Sequence, residues 1–183
     1  MKNSWLAING TSNIFAFKLY HGGEKLLGKR IITTVTQNHN KLYLSENQLS
    51  IDVKNFTSDN RMALRDFLKL IKSDAFPTLD VQLNYIETVP GVEKEIYSKG
   101  KAFLSITITG VTKPYNILVS SSRHGEYISV DGSKKINIRD FGLEPPVEMF
   151  GLIKVSEWIT INFHMVCKLT FSKETQSIVT QLM

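Results

Sequence analysis

Four histidines, one cysteine and a run of three serines are the residues of this chain best equipped to do chemistry. His21, His39, His124 and His164 stand 18, 85 and 40 positions apart. Imidazoles that share a metal commonly sit two apart on a strand or four apart on a helix, and no pair here has either spacing. Three of the four fall beside turn signals, where a surface histidine is expected. Cys167 is alone, which excludes an internal disulfide and a thiolate zinc cluster. Set in an alternating segment, it reads as a small buried hydrophobe. The serines of "SSSR", Ser120 to Arg123, lack the G-x-S-x-G elbow that exposes a nucleophile. "YHGGEKLLGKR" lacks the spacing of a phosphate loop. With acidic residues dispersed as well, the expectation is a protein that is not an enzyme and uses no metal or cofactor.

One further set has regular spacing. Arg61, Arg65 and Lys69 recur every fourth residue in "FTSDNRMALRDFLKLIKSDAFP", Phe56 to Pro77, with Lys72 close behind. Like charges so placed oppose each other by roughly 0.2–0.5 kcal/mol per pair. Leu64, Phe67, Leu68 and Ile71 in the same stretch form one apolar helical stripe. Thr57, Ser58 and Asp59 are competent N-caps, and Pro77 stops continuation. The basic face reads first as a solvated helix surface, second as contact with an anionic surface. Elsewhere the net charge of +5 is dispersed, and without a groove-reading motif no nucleic-acid partner is expected.

Outside this helix the chain alternates with period two, the mark of strands wet on one face. Phe15, Phe17 and Leu19 share a face, as do Leu49, Ile51 and Val53. Leu79, Val81, Leu83 and Tyr85 follow, then Leu104, Ile106 and Ile108, then Tyr115, Ile117 and Val119, then Ile136 and Ile138. The longest run sets Ile159, Ile161, Phe163, Met165 and Cys167 against Thr160, Asn162 and His164. Weaker candidates cover 30–36, 41–44 and 127–130. Turn signals such as "HGG", "VPG", "RHG" and "DGS" separate these runs. About eight strands and one helix imply a mainly β fold, an up-and-down antiparallel barrel in a single domain spanning residues 1–183. The tail "KETQSIVTQLM" has no evident partner and is expected to fray. No window approaches the roughly 20 apolar residues of a membrane span, so any membrane contact is peripheral. The start, Met1-Lys2-Asn3, shows no leader. Periodicity fits a barrel with a filled core and one that holds an apolar ligand equally well.

Three blocks in order carry a resemblance: the N-R-x-x-L-R-x-F-L run from Asn60 with its F-P-x-L ending, "GKAFLSITITGVTKP" at 100–114, and "RDFG" at 139–142. Across roughly residues 9–171 the chain resembles the YceI-like family. The resemblance implies a lipocalin-like barrel whose interior takes a long isoprenoid or quinone-like chain. It also implies a non-enzymatic carrier, periplasmic or secreted if a leader has been removed and cytoplasmic if Met1 is the native start. On that basis Phe15, Phe17, Ile51, Val81, Leu83, Ile106, Ile108, Ile159, Ile161 and Phe163 are expected as wall residues. Arg139 is expected as a polar contact near the mouth. The sequence departs from the family in "AFKLYHGG", where Tyr20 precedes His21, and in the double proline of "FGLEPP".

Overall fold

Strand β12, Trp158–Phe171, carries the longest apolar alternation, and the sheet is built out from it. The computed structural model describes residues 4–22, 30–45, 47–88, 97–148, 151–171 and 177–182. Along one side of β12 runs β9, Tyr127–Asn137, antiparallel from Trp158↔Asn137 to Lys168↔Tyr127. The other side is shared by two strands end to end. β1, Trp5–Thr11, pairs with the first half, and β13, Ser177–Leu182, pairs with the second.

The same division recurs at the next two positions. β2, Ala16–His21, pairs with β1, while β3, Arg30–Asn38, pairs with β13. β4, Lys41–Ser45, and β5, Gln48–Asp52, both pair with β6, Thr78–Thr88. Hairpins then add β7, Tyr97–Ile108, β8, Val111–His124, and β9. The 11-stranded sheet closes through β12-β13-β3-β4-β6-β7-β8-β9 back to β12. This is an up-and-down antiparallel barrel, as its alternation predicted. The tail that looked unpartnered supplies the closing strand. In the sequence Ile178, Val179 and Leu182 follow no clean period of two, so the signal was lost.

The ladder is interrupted in two places, and each is filled by a different device. β2 and β5 share no ladder; between them the backbone of Tyr20 exchanges two 2.8 Å hydrogen bonds with Thr57. Helix α1, Arg61–Leu70, covers that opening. Its N-cap is Asn60, whose Oδ1 accepts the Ala63 N–H at 3.0 Å; Ser58 instead donates its hydroxyl to the Lys18 carbonyl at 2.7 Å, tying the entry of the helix to β2. On the far side, β8 and β9 pair only from Val119↔Gly132 to His124↔Tyr127 among the described residues. The gap below is filled by a 3-10 turn, Ile138–Phe141, closed by Gly142 at φ +71°, a conformation glycine adopts without a Cβ penalty. Phe141 is 1% exposed and packs near the Tyr115 ring. The helix block and the "RDFG" block thus each seal one gap.

A small hairpin of β10, Val147–Glu148, and β11, Ile153–Lys154, sits beside the β1–β2 turn, where Asn13 Nδ2 donates to the Leu152 carbonyl at 2.9 Å.

Candidate functional site

Inside the barrel is a cavity of about 370 Å³. The alternation explains it: the apolar residues of the alternating runs point inward, and their summed bulk does not fill the space they enclose. Leu104, Ile106 and Ile108 of β7, Ile117 and Val119 of β8, and Ile159, Ile161 and Phe163 of β12 face the cavity. All ten apolar residues expected as wall line it: Phe15, Phe17, Ile51, Val81, Leu83, Ile106, Ile108, Ile159, Ile161 and Phe163.

Two of these rings lie flat against the wall. Phe17 is paired across the ladder with Gly10, and Phe163 with Gly132. A Cβ on either glycine would overlap the facing ring. The missing side chain lets each ring fold over the neighbouring strand instead of projecting into the lumen.

The β6 face switches where the sequence gives no notice. A register shift between Leu83 and Tyr85 turns Tyr85 outward, against Phe103 at 4.2 Å and Tyr43 at 5.3 Å, and brings Ile86 to the cavity instead. Asn47 holds this irregularity. It sits between β4 and β5, where its Nδ2 donates to the Leu83 carbonyl at 2.7 Å and its Oδ1 accepts the Leu83 N–H at 2.8 Å. The Asn47 side chain thus stands in for a missing strand residue.

Polar lining is sparse. Thr33 donates its hydroxyl to the Ser45 carbonyl, and Asn47 is committed as described. Ser156 Oγ accepts the Trp158 N–H at 3.1 Å. Among the described residues Asp66 is the one charged member of the lining, with a side chain only 11% exposed, and Arg65 holds it at 3.0 Å. Such an interior offers an apolar molecule removal from water and very little directional bonding.

Arg139 is not among the lining residues. The 3-10 turn buries Ile138 and Phe141, which leaves Arg139 outside. Its Nε donates to Glu157 at 2.6 Å and its Nη1 to Glu144 at 2.5 Å, and these two carboxylates raise its pKa further. Arg139 therefore ties the 143–157 segment to the turn.

Several lining residues escaped the sequence. Leu6 and Ile8 lie in "SWLAING", where four residues of clean alternation are cut short by Gly10. Phe67 and Leu70 of α1 complete the wall at the β2–β5 opening, and Leu143, Pro146 and Val155 come from irregular segments without periodicity. His21, expected at the surface, is 1% exposed and meets the Phe56 ring edge-on at 5.2 Å. Among the described residues no group of three or more His, Cys, Asp or Glu side chains is placed to hold a metal.

Residues 8–167 match the sequence profile of the YceI-like domain. The chain belongs to the YceI-like family. The YceI-like fold is also evident in solved structures. BcnA of Burkholderia cenocepacia is 18% identical, with a TM-score of 0.66 over 89% of this chain and 95% of its own. A polyisoprenoid binding domain from Saccharophagus degradans is 11% identical, with a TM-score of 0.60 over 98% and 94%. The YceI protein of Campylobacter jejuni is 15% identical, with a TM-score of 0.55 over 76% and 84%. At these identities the likeness is one of fold. No curated protein sequence matches the chain significantly. Within the YceI-like domain the blocks from Asn60 and Arg139 that carried the resemblance are the two gap fillers.

Proposed function

We propose that this YceI-like barrel is a non-enzymatic carrier that encloses one apolar chain, isoprenoid or quinone-like, in its cavity. The observation that supports this reading is the 370 Å³ apolar interior, which falls in the range of roughly 300–1,000 Å³ typical of ligand pockets. Burial supplies the driving force, at roughly 25 cal/mol per Å² of apolar surface removed from water. The ten apolar residues expected from the sequence serve as the wall, and the binding named for the Saccharophagus relative agrees with this chemistry. A barrel with a filled core acting only through its surface is the rival, and the open interior disfavours it. The periplasm or cell exterior is the proposed compartment, by family membership; fractionation of the source cell checks it.

Native mass spectrometry of the purified protein, followed by solvent extraction, tests the carrier reading. A co-purifying lipid, or uptake of geranylgeraniol from detergent solution by the emptied protein, is expected. Absence of both, from several expression hosts, would sink it.

A further inference from the structure

Helix α1 presents two faces with opposite demands. Inward, Ala63, Phe67 and Leu70 line the cavity. Outward, Arg61, Arg65 and Lys69 form an exposed row, and Met62 beside them is 40% exposed. Arg61, Lys69 and Lys72 make no ion pair among the described residues. The carboxylates nearby are largely engaged: Asp66 by Arg65 at 3.0 Å and Asp74 by Lys54 at 2.7 Å, which leaves Asp59 at the start of the helix. The face continues onto β2, where Lys18 sits 5.5 Å from the ring centre of the exposed Tyr20. Cations interspersed with a methionine and a tyrosine, on one side of an amphipathic helix, match the headgroup region of an anionic bilayer.

We propose that the outer face of α1 docks the protein on an anionic lipid bilayer. The placement carries consequence for the cavity, because α1 covers the opening where β2 and β5 fail to pair. A docked protein would have only one helix between its lumen and the lipid. This extends the carrier reading by naming the surface from which an apolar ligand is exchanged, but the docking itself stands on the charge and exposure of the helix.

The experiment is co-sedimentation with phosphatidylcholine vesicles containing half phosphatidylglycerol, compared with phosphatidylcholine alone. Binding to the anionic vesicles only, abolished at high salt, is expected. Arg61→Glu with Lys69→Glu should weaken it by about 25-fold or more, taking roughly fivefold for each basic residue near the surface. Lys99→Glu with Lys101→Glu, on β7, imposes the same change of net charge and should retain most of the binding. Circular dichroism checks that both double variants fold, and Arg61→Gln with Lys69→Gln is the milder substitute. Equal weakening by the two pairs, or binding lost instead through Ile14→Glu and Leu152→Glu at the hairpin tips, overturns the proposal. So does wild-type protein that ignores anionic vesicles. Uptake of geranylgeraniol from detergent is measured on the same samples. Uptake without vesicle binding removes the docking and leaves the carrier, and vesicle binding without uptake does the reverse.

Discussion

Gly132 faces Phe163 across the β9–β12 ladder, and the phenyl ring occupies the space a side chain at 132 would need. Replacing Gly132 with alanine forces the ring to move, and the lumen is the free direction. The expected result is a loss of roughly 1–3 kcal/mol, the usual range for overpacking, together with reduced uptake of geranylgeraniol. Adding Phe163→Leu to Gly132→Ala should recover both. Urea denaturation and an uptake assay on the two variants check this; an unchanged uptake in Gly132→Ala would mean the ring relaxes elsewhere.

Ile106 points into the cavity from the middle of β7. A tryptophan there has open space to enter. Ile106→Trp is expected to abolish uptake at a cost below about 1 kcal/mol, the lower edge of ordinary overpacking. A large loss of stability with uptake retained would contradict an open interior.

Asn47 supplies both a donor and an acceptor to the backbone of Leu83. Asn47→Ala leaves that N–H and carbonyl without partners, at roughly 1–3 kcal/mol. Asn47→Asp should cost more, because an acceptor then faces the Leu83 and Leu44 carbonyls that the amide now bonds. Thermal melts of the two variants give the order; the reverse order would show that the amide is not a clamp.

The alkaline limb of stability should carry two signatures. Burial pushes the Cys167 thiol from 9.0 to about 11. Burial, then the hydrogen bond to Asp140, pushes Tyr115 from 10.0 to about 12. Folding favours the protonated form of each, so their stabilisation is whole below about pH 9 and 10 and is lost as pH rises through 11 and 12. Cys167→Ala and Tyr115→Phe should each flatten part of that decline in urea titrations. Native protein should also resist Ellman's reagent at pH 8 and react once unfolded, since the Cys167 thiol is both buried and protonated.

The sequence displays this architecture where one physical signal acts alone. Leu104, Ile106 and Ile108 keep an unbroken alternation, and their inward direction is legible without coordinates. Tyr85 shows the limit: it sits in phase with Leu83 but turns outward, since a register shift costs one residue and leaves no compositional trace. β13 escaped because Ile178, Val179 and Leu182 keep no period of two in the sequence, and Leu143 and Pro146 because irregular backbone has no period. Arg139 has the chemistry of a ligand contact, but its environment is two carboxylates on its own side of the turn. Charge is readable from sequence, whereas the partner that claims it depends on tertiary placement.

Three positions around the barrel are shared by strands placed end to end, and at one of them the first strand of the chain abuts the last. Pairing Ile8 with Ile161 and Ile32 with Val179 joins strands near opposite ends of the chain before the wall is continuous. Contacts so distant along the chain slow folding. The enclosed space therefore depends on pairings far apart in sequence as well as on local hairpins. Ser177–Leu182 pairs with both β3 and β12, so the wall is closed by the last described strand and depends on it along that seam.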